Sequence, residues 1–152
     1  MYTAGCGLAC PAQERLLGCF FSHKICKGIK MEIGKADESL RAADYCYKEG
    51  LYNSSVSRAY YSMYQAAQVG LEAAGFVRAE WSHSGLQATF ANELTRRRKL
   101  YSPFRARDFN IVQDLRHTAD YRDASVSRRQ AARALAKARE FVSEVRRGAS
   151  HG

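Results

Sequence analysis

The stretch from Leu51 to Gly75, LYNSSVSRAYYSMYQAAQVGLEAAG, constrains the fold more than any other part of the chain. Val56, Ala59, Tyr60, Met63, Ala67, Gly70, Leu71 and Ala74 recur at the three-and-four spacing of a helix whose apolar stripe faces a core. A half-buried strand would alternate with a period of two, and this run does not. Arg58, Tyr61, Gln65, Gln68 and Glu72 fall on another face, a polar track open to a partner. Gly75 stops the helix, because glycine accepts the left-handed conformation of a C′ residue at little cost.

The same periodicity continues on both sides. Ile33, Ala36, Leu40, Ala43 and Tyr47 mark a first helix, capped by Gly50 and joined to the second by a turn short enough to make the two antiparallel neighbours. Phe76 to Trp81 reads as a loop. Leu86, Phe90 and Leu94 mark a third helix that ends in Arg96-Arg97-Arg98-Lys99, cations that suit the negative end of a helix dipole. Ser102-Pro103 is a helix start, and the fourth helix is expected to turn Phe104, Ile111, Val112, Leu115 and Ala119 inward. Ser127 and Gln130 form a capping-box pattern ahead of Ala131, Leu135, Ala138, Val142 and Val145 in a fifth helix. No segment has strand periodicity and no internal repeat is evident. The expected fold class is all-α: an antiparallel up-and-down four-helix bundle plus a fifth C-terminal helix.

With 152 residues and 46% hydrophobic content, the chain suits one globular domain. The division read from the sequence is a cysteine-containing, poorly structured extension over 1–30, a helical domain over 31–147 and a tail over 148–152. No apolar run approaches the ~20 residues that cross a bilayer, so no membrane role is expected. Residues 31–95 hold five Lys or Arg against eight acids, whereas 96–152 hold fifteen against six. A basic C-terminal half points to a polyanion such as RNA, because clustered cations bind phosphates by releasing counterions; a solvated surface is the competing reading.

Cys6, Cys10, Cys19 and Cys26 all lie in the first thirty residues. Cys19-x3-His23-x2-Cys26 could supply zinc ligands with Cys6 and Cys10, yet the spacing matches no regular paired-knuckle pattern, and no metal or cofactor is expected. Met1 to Gly18 lacks the basic start and unbroken apolar run of a secretory leader. The expected location is cytoplasmic, with the thiols reduced. Met31 is a candidate alternative start.

Ser57-Arg58-Ala59-Tyr60-Tyr61 with Met63 and Tyr64, then Gly75, Ser82-His83, Arg116 and Ala119-Asp120-Tyr121, together resemble the HEPN family (higher eukaryotes and prokaryotes nucleotide-binding domain). Within it, the chain is similar to a stand-alone prokaryotic branch with an Arg-x-x-Ala-Asp-Tyr signature. The resemblance runs from Met31 to Arg147 and rests on the order and spacing of short motifs. It implies a helical bundle that dimerises.

HEPN ribonucleases resemble one another in an Arg-x4-6-His motif set at a dimer cleft, where Arg would hold the scissile phosphate and His would move protons without a metal. Counted from Arg116 across four residues, that position holds Tyr121. A phenol with a reference pKa near ~10 is a poor base at neutral pH, though it can donate a hydrogen bond to phosphate. His117 points ~100° away from Arg116 around the helix and is the substitute candidate; a surface histidine is its bland reading. His83 is expected to cap the third helix or bond the second. Arg116 and Asp120, one turn apart, are expected to pair. Arg58 is read first as a partner of Asp120 or Asp114 and second as a nucleotide contact. Tyr60, Tyr61 and Tyr64 suit a dimer seam or a base-stacking platform, with the seam preferred. Arg96, Arg97, Arg98 and Lys99, together with Arg105 and Arg107, form the phosphate-binding candidate by charge.

Three functions from different classes follow. The resemblance implies a toxin-antitoxin-like subunit that acts with a minimal nucleotidyltransferase partner, binding nucleotide or RNA at a homodimer cleft. The alternatives are a metal-independent endoribonuclease using Arg116 with His117 or Tyr121, and a non-catalytic RNA- or nucleotide-binding module.

Overall fold

The computed structural model describes residues 33–121 and 125–150. The cysteine-containing extension and its candidate zinc ligands lie outside them. Five helices account for the described fold, and no strand occurs among the described residues. Helix α1 spans 33–48. Helix α2 is Tyr52–Ala73 and α3 is His83–Thr89, which runs on without a break into a π-helical segment, Phe90–Arg97. Helix α4 is Pro103–Tyr121 and α5 is Arg128–Ser150, so residues 148–150 belong to the helix.

Both glycine stops form as the sequence predicts. Gly50 (φ 76°) ends α1 with Leu51 N–H donating to Cys46 O at 2.8 Å and Gly50 N–H to Tyr47 O at 3.2 Å, the paired bonds of a Schellman motif. Gly75 (φ 89°) repeats it at the end of α2 through Phe76 N–H to Leu71 O and Gly75 N–H to Glu72 O, both 2.9 Å. The π-helical segment ends one residue wider, with Leu100 N–H reaching Leu94 O at 2.8 Å. There the left-handed residue is Lys99 (φ 51°), a position where a side chain carries strain. The capping box closes reciprocally: Ser127 N–H donates to Gln130 Oε1 at 2.9 Å and Gln130 N–H to Ser127 Oγ at 3.3 Å.

Contacts fix the directions. Ser39 Oγ donates to Gln65 Oε1 at 2.9 Å and Ser55 Oγ to Ala43 O at 2.8 Å, so α1 and α2 are antiparallel. Asp37 and Asp44 of α1 pair with Arg146 and Arg139 of α5, again in reversed order. Arg105 and Asp108 of α4 meet Glu144 and Lys137 of α5. Helices α1, α2, α4 and α5 therefore alternate as an up-and-down four-helix bundle. The structure distributes the roles differently within the expected plan: the C-terminal helix is one of the four, and the added element is α3. The loop 74–82 climbs back beside α2, placing His83 against Tyr60 and Leu94 near Gly70, so α3 runs parallel to α2.

The core is one cluster to which all five helices contribute, and α2 packs more extensively on α5 than on α3, the π-helical segment or α4. Val56, Ala59, Tyr60, Met63 and Leu71 of α2 share the cluster with Ala134, Ala138, Phe141, Val142 and Val145 of α5. Leu86, Phe90 and Leu94 are all buried. Residues four apart drift ~40° per step around an α-helix, and the wider π turn takes up that drift. Ring contacts of 5.1 Å between Phe90 and Phe141 and 5.3 Å between Phe109 and Phe141 tie α3, α4 and α5 together. Phe104 departs from expectation: it is 68% exposed. Five residues before the buried Phe109, it lies ~140° around the helix, off the core side of the first turn. Ile111 and Leu115 are half-buried.

Part of the charge asymmetry is consumed inside the molecule. Arg139 and Arg146 serve Asp44 and Asp37, and Lys137 serves Asp108. Arg105 is a hub: Nε donates to Glu144 at 2.6 Å, and Nη1 to Glu140 at 2.8 Å and Asp108 at 3.2 Å. It is thereby removed from the phosphate-binding cluster to which charge alone assigns it. None of the described helices is long and apolar enough to cross a membrane.

Candidate functional site

Two spacings of four on antiparallel helices create the site. Ser57 and Tyr61 share a face of α2, and Arg116 and Asp120 share a face of α4. Reversed direction brings Ser57 to Asp120 and Tyr61 to Arg116. The Ser57 hydroxyl donates to Asp120 Oδ1, Arg116 Nε donates to Asp120 Oδ2 at 3.0 Å, and Arg116 Nη2 donates to the Tyr61 hydroxyl at 3.2 Å. The Arg116 guanidinium also lies over two rings, 5.1 Å from the centre of Tyr60 and 5.0 Å from that of Tyr61. Its side chain is 11% exposed, so the planar group is held on two edges and one face before any ligand arrives. The expected Arg116–Asp120 pair is present. Asp120 takes Ser57 as its second partner; Arg58, expected there, is exposed and makes no ion pair among the described residues.

Beneath the arginine is an aromatic layer. Tyr60 is fully buried, and its hydroxyl lies 2.8 Å from His83 Nδ1. Burial pushes the Tyr60 phenol up to about 12, against a smaller opposing effect of Arg116. Burial, reinforced by the charge of Arg116 and the nearness of His117, pushes His83 below the usual histidine range. The neutral ring and the phenol share this one hydrogen bond, and the tautomer of His83 sets which of them donates. Tyr64 donates to Trp81 O at 2.7 Å and lies 4.8 Å, ring to ring, from His83. Ser82 caps α3 by accepting from Gly85 N–H at 3.1 Å. His83 thus bonds α2 as expected; Tyr60 is buried with its ring under Arg116, Tyr64 is half-buried, and Tyr61 is the tyrosine whose hydroxyl bonds the arginine.

His117 and Tyr121 are the solvent-facing part. Both are exposed, Tyr121 at 73%, and their rings are 5.9 Å apart at 34°. Neither hydrogen-bonds Arg116 among the described contacts. The basic run is divided. Arg97 pairs with Glu93 at 3.0 Å, and Arg98 donates to Ala74 O at 2.7 Å while lying over Phe76, so both are structural. Arg96 and Lys99 face an open pocket at the α3–α4 connection. Sequence reasoning gave Ser57 no role and set Tyr60 on the core-facing stripe, where it lies. The matched four-residue spacings are the signal that would have found Ser57.

The arrangement can hold an anion or a planar group against a preformed guanidinium beside two exposed rings. Among the described residues no three His, Cys, Asp or Glu side chains gather to hold a metal ion.

The HEPN domain model matches residues 30–148. A UPF0332 protein of Gloeobacter violaceus is 32% identical over 119 residues, a match that covers 72% of this chain and 92% of that protein. With the family model spanning all five helices and the relative matched over nearly its whole length, the chain belongs to the HEPN domain family.

Proposed function

We propose that this HEPN-domain protein binds nucleotide or RNA at the Arg116 face, in a cleft completed by a second copy of the chain, as the toxin-antitoxin-like partner of a minimal nucleotidyltransferase. The observation that carries the reading is the Arg116 guanidinium, fixed by Asp120 and Tyr61 over two rings and placed on the same helix as the exposed His117–Tyr121 pair. A pre-oriented guanidinium binds phosphate with less loss of side-chain freedom, and exposed rings stack on bases without sequence preference. Asp120 offsets part of the cationic charge, which favours reversible contact over tight phosphate capture. The exposed Tyr121 hydroxyl is the kind of acceptor a nucleotidyltransferase needs: its oxygen would displace pyrophosphate from a nucleoside triphosphate and lose its proton to solvent.

Metal-independent RNA cleavage is the second reading, favoured by the proximity of His117 to Tyr121. Incubation of labelled RNA in EDTA with the protein and with Arg116→Ala decides between them. Binding that weakens in Arg116→Ala without strand scission supports the contact reading. Chelator-resistant cutting lost in that variant and in His117→Ala supports the nuclease, and no binding by either protein overturns both. Sedimentation at micromolar concentration tests the dimer.

A further inference from the structure

Away from Arg116, a pocket of about 460 Å³ lies between the end of the π-helical segment and the start of α4. Arg96 and Lys99 line one wall, Ser102 and Pro103 the other. These two cations differ from their neighbours in sequence. Arg97 and Arg98 have protein partners, whereas Arg96 and Lys99 are exposed and pair with no carboxylate among the described residues. Glu144, which meets the pocket wall at Ser102, is committed to Ser102 N–H at 3.0 Å and Arg105 Nε at 2.6 Å. The pocket therefore offers two unneutralised positive groups.

Its position relative to the first site matters as much as its charge. Pro103, Asn110 and His117 are exposed and seven residues apart, which returns each to within ~20° of the last. One solvent face of α4 thus leads from the pocket to His117 and on to Tyr121, flanked by the exposed Arg107 and Asp114. Fourteen residues at ~1.5 Å make the path about 21 Å long. A stacked strand advances ~3.4 Å per nucleotide and an extended one up to about twice that, so roughly three to six nucleotides cover the distance.

We infer that the pocket is a second phosphate-binding point for a strand whose bases lie on the His117–Tyr121 pair, and that the ligand is a single-stranded RNA of at least about four nucleotides, too long for a mononucleotide to replace. This rests on the proposed Arg116 reading and adds the length requirement and the role of Arg96 and Lys99.

The test uses 2′-O-methyl oligouridylates, which cannot be cut through a 2′-hydroxyl, from a dinucleotide to a strand of about ten residues, with fluorescence anisotropy in EDTA. Affinity should rise steeply between about three and six nucleotides and then level. In Arg96→Gln/Lys99→Gln the rise should vanish while dinucleotide binding is kept, and the salt slope for the long strand should fall by about 1.4, so that the wild type loses about sevenfold more affinity between about 50 and about 200 mM salt. A charge-matched control on α5, Arg129→Gln/Arg147→Gln, should leave step and slope in place, and thermal melts confirm that all the proteins fold. A long strand that binds the pocket variant as it binds wild type, or a control that loses as much as the pocket variant, overturns this inference and leaves the Arg116 face standing. Failure of every length to bind, with no effect of Arg116→Ala, overturns the underlying reading as well.

Discussion

Replacing Arg105 by methionine removes the charge from the α4–α5 hub while keeping most of the apolar stem. The side chain is 17% exposed, and its carboxylate partners Asp108, Glu144 and Glu140 are 12%, 22% and 63% exposed. The Glu140 arm is close to solvent and should be worth no more than ~0.5 kcal/mol. The two inner arms are charge-assisted bonds of about 1.5–3 kcal/mol each, and their loss leaves carboxylates in a half-dry seam. Lys137 still serves Asp108, and Ser102 N–H still serves Glu144, which returns part of that cost. The net expectation is about 3 kcal/mol, or a fall in Tm of ~10 °C for a domain of this size. Urea denaturation of Arg105→Met, Glu144→Gln and the double variant gives the coupling directly, expected at about 1.5–2 kcal/mol. RNA affinity should not change, because this guanidinium is spent inside the protein. A stability loss under ~1 kcal/mol, or a tenfold drop in RNA affinity in a folded variant, would refute the assignment of Arg105 as structural.

The pH dependence of stability has two signs. His83 is held below its usual range, so the unfolded chain takes up a proton first, and stability should decline as pH falls below ~6.5, at up to ~1.4 kcal/mol per pH unit; a His83→Gln variant in which the acid limb is unchanged would contradict this. Tyr60 and Tyr101 are both raised to about 12, so their contribution is intact below ~10 and is lost as pH climbs through the folded value, a steep alkaline limb that Tyr60→Phe should soften in pH-scanned melts. Lys99→Gly relieves a left-handed side chain and should raise stability by about 0.5–1 kcal/mol by urea titration, with no gain arguing against strain there. Gly148→Ala would place its methyl 2.7 Å from the buried Tyr101 ring, so stability should fall by about 1–3 kcal/mol and Tm with it; an unchanged melt would show that the end of α5 yields freely.

What the sequence made legible follows from which forces are local. Both glycine stops, the Ser127–Gln130 box and the Ser102-Pro103 start depend on a few neighbouring residues, and all formed where the pattern places them. The stripe on α2 was readable because 3.6-residue periodicity records burial directly. The π-helical segment was not, since Leu86, Phe90 and Leu94 have the same spacing in either helix type. The parallel course of α3 was hidden because a nine-residue loop can reverse direction or climb back. At the site, the Arg116–Asp120 pair is a one-turn contact and was foreseen, whereas Tyr61 and Ser57 lie more than fifty residues away in sequence and join it only through the register of α2 on α4. Charge counting failed at Arg105 for the same reason: two of its three carboxylates, Glu140 and Glu144, are neighbours only in space.

The breadth of the α2–α5 contact has a consequence for biosynthesis. While the ribosome is still making α4, the apolar side of α2 has no Phe141, Val142 or Val145 to receive it, and Asp37 and Asp44 await arginines not yet translated. The four-helix bundle can therefore close only once the residues through Val145 have emerged, and until then the apolar side of α2 lies open to chaperones.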